Sequence, residues 1–212
     1  MRLYYAPGAC SLSPHIALRE ADRAFELERV DLKMHRTESG RSYYDINPKG
    51  YVPALAIDPR GNEILTEGPA ILQYVADLVP ERGLAPPNGT LMRYHLVEWL
   101  NFVATELHKP FGWLFAADTA PHTQARARGK IGERLQYVNG VLASRGYCMG
   151  ESFTVVDGYL FVIARWCERF GIDLVLWPNI NAWVERMRAR PSVQAALAAE
   201  GLTEQHGLRR AG

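Results

Sequence analysis

The sequence predicts two regions of different class: an α/β unit up to about residue 79, then an all-helical region from about residue 90. Three observations carry this. Short strand-like apolar runs alternate with helical runs before residue 79. The segment 80–89 concentrates breakers, with Pro80, Gly83, Pro86, Pro87 and Gly89. Beyond it no strand pattern emerges, and the apolar residues repeat at helical spacing.

Residues 3–6 read as the first strand. Ile16, Ala17, Leu18 and Ala21 then recur at helical spacing, with Ser11 or Ser13 as N-cap. Pro14 lies in the first turn, where its missing N–H costs nothing. Phe25-Glu26-Leu27-Glu28-Arg29-Val30 alternates as a half-buried strand does. Residues 33–51 are polar and punctuated by Gly40, Pro48 and Gly50, so they predict an irregular connection with one short helix at 41–46. Two strands at 54–57 and 63–66 flank the turn-rich Asp58-Pro59-Arg60-Gly61-Asn62, which makes a hairpin. Ala70, Ile71, Tyr74, Val75 and Leu78 form an amphipathic helix, with Gly68 as N-cap and Pro69 at the first helical position. The first region, residues 1–80, therefore reads β-α-β-(α)-β-β-α around a mixed four-stranded sheet.

After the linker at 81–89, residues 91–117 read as one long helix or two, bent near Pro110. Residues 123–145 follow, with Ile131, Leu135, Val138 and Leu142 on one stripe. Thr154-Val155-Val156-Asp157 has the spacing of a capping box, with Phe153 before it as a staple, and opens an apolar helix through Tyr159, Leu160, Ile163, Ala164 and Cys167. Ile180, Trp183, Val184 and Met187 mark another helix, stopped near Pro191, and residues 193–199 a last one. The helical region thus spans 90–202, and the polar stretch 203–212 reads as a disordered tail.

Composition narrows the function classes. Lys and Arg total 24 against 23 for Asp and Glu, so no net field draws in nucleic acid or an anionic membrane. No run approaches the roughly 18 apolar residues of a membrane helix, and the N-terminal apolar run is too short for a signal peptide. Cys10, Cys148 and Cys167 form neither a disulfide framework nor a metal-binding pattern, which predicts a reducing, cytoplasmic setting. The six histidines include no metal-binding pair, so no metal site is expected.

Three corners carry candidate chemistry. Cys10 lies between the first strand and the first helix, where free N–H groups and the helix field favour a thiolate. That field is worth about 0.3 to 1 kcal/mol, less than one pKa unit, so the thiol needs a second donor. His108 is the candidate, because Asn101, Thr105 and His108 are spaced by four and three on one helical stripe. Val52-Pro53, directly before a strand, is a place where a cis peptide turns unpaired backbone outward to meet an extended peptide. Glu67-Gly68-Pro69 joins a strand to a helix start, whose N–H groups suit a carboxylate. Each corner alone is more often an ordinary turn, cap or core residue.

Together, Tyr4-Tyr5-Ala6-Pro7-Gly8-Ala9-Cys10-Ser11-Leu12-Ser13-Pro14-His15, Asn47-Pro48-Lys49-Gly50-Tyr51-Val52-Pro53, Leu65-Thr66-Glu67-Gly68-Pro69-Ala70-Ile71 and the motif running from Trp99-Leu100-Asn101 to Glu106-Leu107-His108-Lys109 closely resemble the bacterial beta-class glutathione transferases. The resemblance spans residues 1 to about 202. It implies a thioredoxin-like N-terminal domain, a helical C-terminal domain, and a homodimer paired through the helices after Gly68 and Thr90. It implies glutathione as co-substrate, with no tightly bound cofactor. Val52, before a cis Pro53, would pair with the cysteinyl portion, and Glu67 and Gly68 with the γ-glutamyl end. Cys10 and His108 would flank the sulfur, and Asn101, Thr105, Glu106 and Leu107 would line the cleft. A lysine is expected where this chain has His35, so its contact with the glycyl carboxylate passes in part to Lys33 or Arg36.

Three functions follow from these residues. In a detoxifying transferase, Cys10 and His108 stabilise the glutathione thiolate, which attacks a small apolar electrophile against walls formed by Phe111, Trp113 and Phe115. In a thiol-disulfide oxidoreductase or peroxidase, Cys10 itself forms a mixed disulfide with glutathione. A non-catalytic ligand-binding scaffold is the third, disfavoured by the co-occurrence of the corners.

Overall fold

The computed structural model describes residues 1–58, 61 and 63–202; the expected tail at 203–212 and part of the hairpin loop lie outside the described residues. Strand β1 (Arg2–Tyr5) lies at the centre of the sheet. It runs parallel to β2 (Glu26–Asp31), with Leu3 opposite Leu27, and antiparallel to β4 (Ala54–Ala56), with Leu3 opposite Leu55. β5 (Ile64–Thr66) closes one edge antiparallel to β4. On the other edge β3 (Arg36–Thr37) pairs antiparallel with β2, which makes five strands in the order β3-β2-β1-β4-β5 instead of four. At two residues β3 is too short to leave an alternating pattern; it exists because Thr37 meets Val30 across the ladder.

Successive residues of β1 serve different layers, as the pleat requires. Leu3 and Tyr5 enter the main core, while Tyr4 packs with Val30, Tyr43 and Ala54 beneath the opposite face. Over the main face lie α1 (Leu12–Glu20) and α2 (Gly68–Asp77), and α6 (Val155–Arg169) and α8 (Pro191–Ala199) pack on α1. The remaining helices are α3 (Leu91–Phe102), α4 (Lys109–Phe115), α5 (Pro121–Leu142) and α7 (Pro178–Arg188). The short helix expected at 41–46 is a single 3₁₀ turn, Tyr43–Asp45.

Two local details refine the expectations. Ser11 is the N-cap residue of α1, but its side chain makes no capping bond: it exchanges hydrogen bonds with the backbone of Ala6 at 3.2 Å, while the Ser13 hydroxyl donates to the Cys10 carbonyl at 2.9 Å. The N-cap of α2 is Glu67 rather than Gly68, with φ at +69°, and its carbonyl accepts from Ala70 and Ile71.

The path from Leu91 to Phe115 is helical throughout, but Val103–His108 is a π-helical turn. Pro110 has no N–H to give to the preceding turn, and its ring crowds the carbonyl four residues back. The strain is resolved upstream, where the Lys109 N–H reaches five residues back to the Ala104 carbonyl.

The Thr154–Asp157 box does more than start α6. The buried Asp157 carboxylate accepts from the Thr154 N–H at 2.9 Å and its hydroxyl at 3.1 Å, and also from the Cys148 N–H at 2.9 Å. One carboxylate therefore nucleates the helix and anchors the preceding loop.

Candidate active site

A cleft of about 640 Å³ lies between the sheet domain and the helices, lined by Cys10, Tyr51, Val52, Pro53, Glu67, Gly68, Gln73, Asn101, Ala104, His108 and Tyr159, among others. All three corners open onto it. The Val52–Pro53 bond is cis, and the Val52 carbonyl accepts a hydrogen bond from Cys10 Sγ at 3.3 Å. Val52 is further enclosed by its neighbour, since the Tyr51 carbonyl takes bonds from Asn47 at 2.7 Å and Tyr43 at 3.1 Å.

Burial outweighs the helix field at Cys10. Its removal from water pushes the thiol up to about 12, against the pull of its own and the Ser11 backbone N–H groups. At neutral pH the sulfur is a thiol that donates. His108 is shifted the other way for the same reason: burial lowers it to about 4, so it is a neutral imidazole. Its Nδ1 lies 2.6 Å from the Tyr159 hydroxyl, and its ring meets Trp166 edge-on with centroids 4.9 Å apart.

The loop before Cys10 is fastened by distant residues. The Gly8 N–H donates to Glu200 at 2.9 Å, and the Trp166 indole donates to the Gly8 carbonyl at 2.9 Å. Gly8 has φ of +72°, a conformation other residues reach only with strain.

At the opposite rim, Lys49 Nζ and Tyr51 Oη reach the same Glu67 oxygen at 2.5 and 2.8 Å, and Lys49 also donates to Thr66 at 3.0 Å. The Lys49 ammonium, with help from Tyr51, holds the Glu67 carboxyl below its ordinary range. Glu67 thus presents an ionised carboxylate at the rim of the cleft.

Several expected site residues lie elsewhere. The π turn widens the helical repeat, so Ala104 takes the cleft position expected for Thr105, between Asn101 and His108. Thr105 and Glu106 face a second groove with Lys109, Trp113 and Lys130, and Glu106 is ion-paired with Lys130 and Arg134. Leu107 is fully buried in the core. Of the expected apolar walls, Phe111 is core, Trp113 faces the second groove, and Phe115 packs on Trp166 and Phe170. His35 stacks on Tyr44 at 4.6 Å with Nδ1 3.1 Å from the Gly50 carbonyl, outside the cleft lining. Among the described residues, Lys49 is a cation bonded to a cleft residue, Glu67.

Two residues join the site that no local motif singles out: Tyr159, which lines the cleft from an apolar helix, and Lys49, which reaches Glu67 from the loop before β4. No group of three or more His, Cys, Asp or Glu residues suited to a metal occurs among the described residues. No helix of the described residues is long and apolar enough to cross a membrane.

Comparisons with known proteins agree with this fold. Residues 1–77 match the glutathione S-transferase N-terminal domain and residues 94–191 the glutathione S-transferase C-terminal domain. Glutathione S-transferase GstA of Escherichia coli O157:H7 is 47% identical over 202 residues, covering 95% of this chain and 100% of that protein. A sphingomonad glutathione S-transferase complexed with glutathione superposes with a TM-score of 0.91 at 45% identity, over 95% of this chain and 100% of that one. A bacterial beta-class glutathione S-transferase from Sphingomonas chungbukensis does so with a TM-score of 0.91 at 44% identity and the same coverage. The thioredoxin-like sheet domain, the helical domain and the matched motifs have one explanation: the chain belongs to the glutathione S-transferase family, in its bacterial beta class.

Proposed function

We propose that this enzyme conjugates glutathione to small apolar electrophiles. The observation that carries the proposal is that Cys10 and His108, on separate domains, line one cleft, and both are neutral there and able to donate. Two donors converging on a bound sulfur lower the pKa of glutathione's thiol, whose proton leaves to water. The thiolate then attacks the electrophilic carbon, forming the carbon–sulfur bond as the leaving group departs with its electron pair. Val52 would pair with the tripeptide's backbone, Glu67 would meet its γ-glutamyl ammonium and the Gly68 N–H the adjacent carboxylate. Residues 1–80 would form the glutathione-binding domain and 90–202 the domain that completes the electrophile site. Asn101 remains a contact in this reading, with Ala104 beside it; Thr105, Glu106 and Leu107 would act within the helix packing.

The second reading is disulfide exchange through Cys10, favoured by the sulfur's position on the cleft. A thiol pushed up to about 12 is a weak nucleophile at neutral pH, which ranks this reading below conjugation. Replacing Cys10 by Ser keeps a donor and removes the thiol. Surviving conjugation with loss of disulfide exchange supports the proposal; loss of neither sinks a catalytic role for Cys10. Intact mass shows whether glutathione is attached to the isolated protein.

The exposed Leu91, Met92 and Tyr94 at the start of α3 support a homodimer formed through that helix. All three cysteines are free, which suits a reducing cytoplasmic setting.

A further inference from the structure

Tyr159 is buried to within 3% of full enclosure, yet lines the cleft beside His108. Its hydroxyl lies 2.6 Å from His108 Nδ1, which is its hydrogen-bond partner among the described residues. The contact admits two arrangements. If Nδ1 carried the proton and donated, the buried phenol would have no acceptor for its own hydrogen, a loss the protein can avoid. If the phenol donates to Nδ1, both groups are satisfied and the imidazole hydrogen lies on Nε2. A buried hydroxyl normally donates, and the second arrangement obeys that rule.

We infer that Tyr159 is a positioning residue for His108: its phenol donates to Nδ1 and holds the imidazole in the tautomer whose Nε2–H is free to donate to a sulfur in the cleft. Without this bond, some of the population would carry the hydrogen on Nδ1 and present Nε2 as an acceptor, which repels a thiolate. The ring is also fixed from its other side by Trp166, whose indole is tied to the Gly8 carbonyl at 2.9 Å. Trp166 orients the plane, and Tyr159 selects the proton position. Burial holds the Tyr159 phenol protonated, in the donating state, and the Glu67 carboxylate across the cleft acts in the same sense.

The role in catalysis rests on the conjugation reading, but the tautomer does not, so the two are tested separately. Two-bond proton–nitrogen correlation spectra of the ligand-free protein near pH 7, with the His108 signals assigned by their loss in His108→Asn, report the tautomer directly. The expected result is an unprotonated Nδ1 and a protonated Nε2. A protonated Nδ1 in the wild-type protein overturns the inference even if conjugation is confirmed. In Tyr159→Phe, which keeps the ring, the Nδ1–H tautomer should become populated. Its kcat for conjugation should fall roughly 3- to 10-fold, the scale of one lost hydrogen bond, with KM for glutathione little changed. A variant that keeps the wild-type tautomer, or that raises KM at unchanged kcat, assigns Tyr159 to packing or binding and refutes the role.

Discussion

The buried imidazole of His108 makes stability depend on pH with a defined sign and size. Its folded-state pKa is about 4, against about 6.5 in the unfolded chain, so between those values the unfolded state binds the extra proton. The contribution is fully present above pH 6.5 and is lost as pH falls towards 4. Two and a half pKa units at 1.36 kcal/mol each set a ceiling of about 3 kcal/mol. From pH 7.5 to 4.5 the loss is roughly 2 to 3 kcal/mol. His108→Asn removes the titrating group, so the variant should lack this part of the acid destabilisation. The measurement is urea unfolding of both proteins at pH 7.5, 6.0 and 4.5, at one protein concentration so that any subunit association contributes equally. The stability difference should move in the variant's favour by 2 to 3 kcal/mol between the outer pH values. Parallel pH profiles would refute the claim that His108 is held neutral by burial.

Two further outcomes follow from the same geometry. Asp157→Ala should cost about 3 to 5 kcal/mol in urea unfolding, because it strands the buried N–H groups of Cys148 and Thr154 that now bond to a carboxylate; a cost under 1 kcal/mol would mean the loop and helix start find other partners. Lys49→Met removes the cation that holds the Glu67 carboxyl down, so the acid limb of glutathione affinity, followed by calorimetric titration, should move to higher pH; an unmoved limb would separate Glu67 from ligand binding.

What was legible in the sequence is what local chemistry encodes. The Cys10 corner, the proline after Val52 and the Glu67–Gly68 helix start each announce themselves within a few residues, and all three open onto the cleft. The capping box was equally readable, since Thr154 and Asp157 meet three residues apart. The misses are long-range or depend on helical pitch. Tyr159 reaches His108 across 51 residues of chain, and no spacing rule links them. The stripe through Asn101, Thr105 and His108 assumed 3.6 residues per turn, whereas the π turn substitutes Ala104 and turns Thr105 away. At Cys10 the helix field is readable locally, but burial, which sets the thiol's pKa, is a property of the assembled fold.

Gly8 lies two residues before Cys10, yet its two peptide partners, Trp166 and Glu200, come 158 and 192 residues later in the chain. The loop that leads to Cys10 is therefore anchored by residues far along the sequence, in the helical part of the chain. A fragment ending before Glu200 can hold every residue of the cleft and still lack the tether on the Gly8 N–H. Loss of the Glu200 carboxylate thus loosens the thiol loop from a position 192 residues away in the sequence and outside the cleft lining.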